Sequence, residues 1–379
     1  MNFEFSETQL MIQETAKQFA ETELAPSAIE RDEKEEFPHE QVKKLGELGF
    51  LGMMVPEQYG GANLDTTSYV LAMIEISKVD ASLGVIMSVN NSLVCHGINK
   101  WGTEEQKQKF LIPLASGKKL GAFALSEPEA GSDASNQRTT AVKQDDFYII
   151  NGTKNFITNG SSADVIIVMA TTDKTQGAHG VSAFIVEKDT PGLSVAKKEK
   201  KLGIRSSDTV SLAFEDCKIP AANRIGEEGF GFKFAMKTLD GGRIGIAAQA
   251  LGIAKASVEA AKNYAKQRKA FGKYLADFQA IQFKIADCAT QLEAAILLTL
   301  QAAALKDQGK PFGTEAAMAK LFSSRVAVGA ALEAIQIHGG YGYMKEYNVE
   351  RYLRDAKITE IYEGTSEVQR IVIAREILK

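Results

Sequence analysis

The turn Ile361-Tyr362-Glu363-Gly364-Thr365-Ser366-Glu367 sets a carboxylate beside a glycine, close to the end of the 379-residue chain. A carboxylate held there can take a proton from a bound molecule. Ser366 with Gln369 three residues on forms a capping-box pattern, which predicts a last helix opening at Ser366 with Val368, Ile371, Ala374 and Leu378 as its apolar stripe. Glu363 therefore precedes a helix N-terminus, and Gly364 lets other atoms approach the backbone. Taken alone, the position also suits a solvated charge near the helix dipole. Three further stretches carry glycine, the first two with small hydroxyls: Phe123 to Asp133, Asn155 to Gly160, and Gln336 to Gly342. Each offers backbone N–H groups suited to a planar polar ligand or a phosphate, and each is also ordinary turn chemistry.

Other chemistries lose support. No Gly-x-Gly-x-x-Gly follows a strand pattern, and Gly-x-x-x-x-Gly-Lys, His-Glu-x-x-His and Gly-x-Ser-x-Gly are missing from the sequence. His39, His96, His179 and His338 are scattered, so no metal site is expected. The net charge of −4 gives no footprint for nucleic acid. No apolar run looks long enough to span a membrane; Ala294 to Leu305 is short and carries Gln301. Met1-Asn2-Phe3-Glu4 does not read as a signal peptide. Cys95, Cys217 and Cys288 are far apart and odd in number, which fits buried thiols in a reducing, cytoplasmic setting.

Periodicity predicts an α+β multidomain fold. Residues 1–117 read as an N-terminal α-helical domain, opened by a Ser6–Gln9 capping box, with Glu30 to Glu36 as a solvated connection. Residues 118–228 read as a middle antiparallel β domain. Its strongest hairpin signal is Phe147 to Ile150, Asn151-Gly152, then Thr153 to Thr158. Residues 229–379 read as a C-terminal four-helix domain: three long Ala-rich stripes opening at Ile244, Ile281 and Ala317, plus the short last helix.

Read together, these stretches resemble the acyl-CoA dehydrogenases, flavin enzymes that form the α,β-double bond of an acyl thioester. The resemblance covers nearly the whole length. It is most specific in Ser126 to Asp133, Phe156-Ile157-Thr158, Gln267 to Gly272, Gln336 to Gly342 and Arg354 to Arg370. Thr359 to Glu367 is most similar to the short-chain, butyryl-type branch. The family has the same order of helical, β and helical domains.

The resemblance implies FAD as cofactor, an acyl-CoA substrate, an electron-transferring flavoprotein as partner and a homotetramer. Phe123, Leu125, Ser126, Gly131 and Ser132 correspond to the strand and loop along the flavin, with Ser132 also bordering the substrate. Phe156, Ile157 and Thr158 correspond to the segment packed on its ring. Arg268, Phe271 and Gln279 correspond to contacts that reach the flavin's pyrophosphate and adenosine across a subunit interface. Gln336, Ile337, His338, Gly339 and Gly340 are the neighbouring subunit's share. Asp240, Arg243, Tyr362 and Gly364 fall on the substrate side, and Thr365, Ser366 and Glu367 on the flavin-binding turn. Glu363 corresponds to the base. The alternative location in this family, just before Arg243 on a long helix starting near Gly242, is occupied here by Gly242. Two positions depart from the family pattern: Phe156 replaces a frequent Trp, and Glu129 a frequent Gly. An oxidase of the same fold and a silent acyl-CoA-binding scaffold are the rival readings.

Overall fold

Ser6 caps the first helix as its spacing predicts: its hydroxyl accepts from Gln9 N, and the Gln9 side chain accepts from Ser6 N. The computed structural model describes residues 4–379; the chain start read above for a signal peptide lies, up to Phe3, outside the described residues. Helix α1 is Glu7–Phe19. Next comes α2, Ala28–Lys34, where a solvated connection was expected. Arg31 and Asp32 are buried in it, Arg31 pairing with Asp80 at 2.7 Å and Asp32 with Arg354 at 2.8 Å. Their partners lie 49 and 322 residues away, so the charge run reads as surface when only its neighbours are seen. Helices α3 (His39–Glu47), α4 (Thr66–Val79), α5 (Ala81–Trp101, with a π-helical stretch Val89–Cys95) and α6 (104–115) complete this part. Asp65 and Asp80 cap α4 and α5 through their carboxylates.

Besides a separate antiparallel pair, Lys269–Ala270 with Lys273–Tyr274, the strands are β1 Gly121–Ala124, β2 Thr140–Gln144, β3 Phe147–Thr158, β4 Val165–Thr171, β5 Val181–Glu187, β6 Leu193–Lys198, β7 Thr209–Pro220 and β8 Arg224–Ile225. They form one sheet in the order β6-β7-β3-β2-β4-β5-β8, with β1 beside β4. Pairing is antiparallel except for β1–β4 and a single β2–β4 bridge, which are parallel. The Asn151-Gly152 turn does not form, because β3 runs straight through it. Asn151 exchanges hydrogen bonds with Asp216 at a register shift against β7, and Gly152 lies where a Cβ would come within 2.7 Å of Thr139 Cα. The real hairpin joins β2 to β3 through Asp145-Asp146, with Asp145 in the left-handed region.

Helix α7, Gly231–Gln267, starts earlier than expected: Phe234 is buried against Trp101 and Phe123 ahead of the Ala-rich stripe. Helices α8 (Gln279–Asp307), α9 (Gly313–His338), α10 (Val349–Ile358) and α11 (Ser366–Ile377) follow. The sequence reading lacks α10, because its inward residues include Arg351 and Asp355, both buried. The expectation about apolar runs also needs correction. Ala81–Trp101, Gly231–Gln267 and Gln279–Asp307 are long and apolar enough to cross a membrane by length and composition. Counting uninterrupted apolar residues hides this, since Ser, Thr and Gln dilute each run without lowering its mean hydropathy far. The apolar windows of the first two are 94% and 78% buried in the protein; that of α8 is only 28% buried.

One apolar cluster runs from α1, α4 and α5 through β1 and β4 into α7 and α9. Helical and β parts thus share a core, and the main cavity opens along that seam.

Candidate active site

Helix α11 is capped by Thr365, whose hydroxyl accepts from Val368 N at 3.3 Å; Ser366 is its first residue and not its cap. The expected box fails because Gln369 is committed elsewhere. Its side chain donates to the carbonyls of Glu363 (3.2 Å) and Gly364 (2.9 Å). Ser366 N returns to Glu360 O at 2.9 Å, closing a tight turn. Glu363 and Gly364 both have positive φ, 52° and 93°. A Cβ on Gly364 would also lie 2.6 Å from Gln369 Nε2, so only glycine fits.

This turn presses Glu363 onto α7 at Gly242. A Cβ at Gly242 would lie 2.1 Å from Glu363 Oε2 and 2.8 Å from Leu93 Cδ2. Glu363 as a whole is half-buried, but Oε2 is out of solvent and has no hydrogen-bond partner among the described residues. Burial pushes its carboxyl up to about 7, against the pull of Lys320 and Arg243. Arg243 is itself held down by burial and pairs with Asp240 at 2.6 Å, leaving its Nε unpartnered. The Tyr362 hydroxyl bonds to Gln249 Oε1.

A cavity of about 720 Å³ opens beside Glu363. Val85, Val89, Leu93, Met236 and Leu239 give it an apolar wall. Phe123, Leu125, Ser126, Gly131, Ser132, Phe156, Ile157, Thr158, Arg243, Tyr362, Glu363, Gly364 and Thr365 all border it. β1 and the loop after it, the end of β3, α5, α7 and the turn before α11 position these residues. The Ile157 side chain is packed in the sheet core, so its contribution is main chain. Phe156 has φ 60° and is 64% exposed, an unusual exposure for an aromatic side chain, and it stands with Ser126 and Thr158 at the cavity wall. Space for a Cβ at Gly131 is open. An exposed ring flanked by hydroxyls fits a planar, hydrogen-bonding ring system, so these residues fit a flavin. The loop behind them is tied by buried Lys154, which donates to Glu127 (2.7 Å) and Leu125 O (3.0 Å). Glu129, at the family departure, reaches Arg138 at 3.3 Å on the surface.

Other expected residues stand outside this cavity. Asp240 touches it only through Arg243, Ser366 is buried in the turn, and Glu367 is exposed on Arg370 at 3.1 Å. Arg268, Phe271, Gln279 and Gln336 to Gly340 gather at the far end of α7 and α9. There the Arg268 guanidinium lies 5.5 Å from the Tyr341 ring, and His338 stacks on Tyr264 at 4.1 Å. Ile337 and His338 are buried, whereas Phe271 is 96% exposed. At 1.5 Å per residue, Gly242 and Gln267 are roughly 38 Å apart along α7. The two groups cannot meet on one ligand within one chain. A wider groove of about 760 Å³, between Phe37, His39, Ser161 and Lys188, contains none of the expected residues.

The sequence reading missed Lys320 and the loop 199–204, both at this site. The predicted stripe passes through Leu321; Lys320 falls three residues after Ala317 and four before Ser324, on the same helix face, and a lysine there was the available signal.

The chain matches the acyl-CoA dehydrogenase N-terminal domain over residues 6–118, the middle domain over 122–217 and the C-terminal domain over 229–378. It is 52% identical to a short-chain specific acyl-CoA dehydrogenase of Clostridium acetobutylicum across all of both chains. The butyryl-CoA dehydrogenase structure from Megasphaera elsdenii superposes with TM-score 0.99 at 51% identity, again over all of both chains. A chain from structural work on the electron transferring flavoprotein of Acidaminococcus fermentans, concerned with flavin-based electron bifurcation, gives TM-score 0.99 at 54% identity and full coverage of both.

Proposed function

Because this chain belongs to the acyl-CoA dehydrogenase family, we propose that it desaturates a short-chain acyl-CoA, with Glu363 as the base that removes the α-proton. The observation that carries this reading is the unpartnered, buried Oε2 of Glu363 beside an apolar-walled cavity. Burial makes a carboxylate a stronger base, and a value near 7 suits proton abstraction close to neutral pH. Among the described residues the Glu363 N–H has no acceptor, and it is a donor for the thioester oxygen as charge develops on it. FAD is the family's cofactor; when bound, it supplies the acceptor for the β-hydride. Phe156, Ser126 and Thr158 would hold its ring. Asp240 and Arg243 lie on the CoA side.

The far-end group, Arg268, Phe271, Gln279 and Gln336 to Gly340, would serve the flavin of a neighbouring copy, which supports a homotetramer. The exposed apolar face of α8 supports the same assembly. An electron-transferring flavoprotein would reoxidise the enzyme. Three unpaired thiols support a cytoplasmic location. Domain limits at 1–117, 118–228 and 229–379 complete the proposal.

The test is a spectral titration. The protein should purify yellow and bleach anaerobically with butyryl-CoA, more efficiently than with long-chain acyl-CoA. A colourless protein that takes up no FAD and binds acyl-CoA would favour the scaffold reading. Rapid reoxidation in air alone would move it to the oxidases.

A further inference from the structure

We propose that Lys320 is a positioning residue for the reaction: its ammonium holds the Gly364 carbonyl, and its charge sets the pH range in which Glu363 acts as a base. This rests on the reading of Glu363 as that base.

Lys320 lies within α9, fully buried among small residues. A buried ammonium is costly unless it is bonded and compensated. Its one hydrogen bond, among the described residues, runs from Nζ to Gly364 O at 2.7 Å, and it has no ion-pair partner there. A neutral donor could hold a carbonyl with less desolvation cost. The charge needs a separate reason, and the Glu363 carboxylate supplies one.

The backbone at Glu363 needs holding. Its φ of 52° is disfavoured for a residue with a side chain, and Gly364 continues in the same region. Such a pair persists only where its surroundings over-determine it. Here Gln369 ties both carbonyls from α11, and Lys320 ties the second from α9. The turn is braced from two elements, and the side chain of Glu363 is fixed against Gly242.

The charged and titratable neighbours are few. From α7 comes Arg243, already engaged by Asp240. From α4 comes the Tyr69 hydroxyl, kept neutral by burial and bonded to Ser88. Tyr362, next in the chain, is also held neutral by burial. Glu360 and Glu367 act on Lys320 from either side of the turn, but pair with Lys357 and Arg370. Lys320 is therefore the cation at this turn that no carboxylate has claimed. Burial pulls its own value down to about 8, opposed first by Glu363; Glu363 in turn is pulled down by Lys320 before Arg243.

The sign follows. Removing the charge raises the Glu363 value, so less of the base is unprotonated at neutral pH. A one-unit rise from 7 would cut the active fraction at pH 7 roughly fivefold. The rate would recover as the pH is raised.

The experiment uses FAD-loaded protein, anaerobic bleaching by butyryl-CoA, and a pH series. Lys320→Met removes donor and charge; Lys320→Gln keeps a donor and drops the charge; Gln369→Leu removes the uncharged brace. Both Lys320 variants should move the rising limb of the rate to higher pH by about one unit, and Lys320→Arg should bring it back. Gln369→Leu should lower the rate evenly without moving the limb. The proposal is overturned if the limb of Lys320→Gln coincides with the parent's, or if every variant loses rate evenly across pH. Glu363→Gln run alongside separates the two readings. If it is inactive while the Lys320 profiles stay put, Lys320 has no such role and the base assignment stands. If it bleaches like the parent, the base assignment fails and takes this proposal with it.

Discussion

At Glu363 the demands of catalysis and of stability pull apart. Its Oε2 is buried without a partner, and burial raises its carboxyl above the unfolded value of 4.5 to about 7. Folding therefore favours the protonated form. The associated stability is fully present below about pH 4.5 and is lost as the pH rises through about 7. Glu363→Gln removes that dependence. The variant should match its parent in acid and exceed it at alkaline pH, by up to roughly 3 kcal/mol in denaturant melts. The same change should reduce anaerobic bleaching by about 10²- to 10⁴-fold or more, because an amide cannot take the proton. Equal bleaching rates would refute the assignment and turn attention to Glu360 or Glu367. Gly242 allows a second check. A side chain added there starts where the Glu363 carboxylate ends, so Gly242→Glu should be tolerated with Glu363→Gly and not without it. The double variant should recover part of the rate lost in Glu363→Gly. A yellow, folded double variant with no recovery would show that the two positions do not serve the same α-carbon.

At the scale of elements, the site depends on how closely α7 approaches α4 and α5. Gly252 faces the end of α4: a Cβ there would lie 2.6 Å from Ile74 O and 2.8 Å from Lys78 N. Those are backbone atoms and cannot swing aside. Gly252→Ala should therefore lower the unfolding midpoint by the equivalent of roughly 1–3 kcal/mol, the usual cost of overpacking. An unchanged midpoint would mean the helices slide apart freely. The elements also show what a sequence conveys. The long stripes of α7, α8 and α9 are legible because burial repeats every three or four residues over many turns. The turn at Asn151-Gly152 misleads, since an Asn and a Gly suit a bulge as well as a hairpin, and only the Asp216 partner and the crowding by Thr139 decide. The α11 cap slips by one residue because Gln369 serves the Glu363–Gly364 carbonyls. Glu363 itself was legible through its motif and not through periodicity, which cannot distinguish a solvated carboxylate from one pressed against Gly242.

At the scale of the whole molecule, the expected flavin residues fall into two groups at opposite ends of α7. One lines the cavity with Glu363. The other, around Arg268 and Gly339-Gly340, stands roughly 38 Å away by helix rise. If both serve FAD, they must do so between copies, and every site is incomplete in a single chain. The surface agrees: Phe271 is 96% exposed beside Arg268, and on α8 and α9 Phe283, Leu297 and Leu332 are at least half exposed. Arg268 lies 5.5 Å from the Tyr341 ring and has no carboxylate partner among the described residues, so its charge is available to a phosphate group. Arg268→Ala removes no buried contact of its own chain, and the fold should hold. Flavin retention should weaken by at least roughly tenfold, since a hydrogen bond to a charged group is worth about 1.5–3 kcal/mol. Equilibrium dialysis of FAD, with sedimentation of the same samples, checks both parts. The parent should sediment as a tetramer with one FAD per subunit, and the variant should keep the assembly while releasing flavin. A parent that is a stable monomer with a full complement of FAD would show that the distal group has nothing to do with the cofactor.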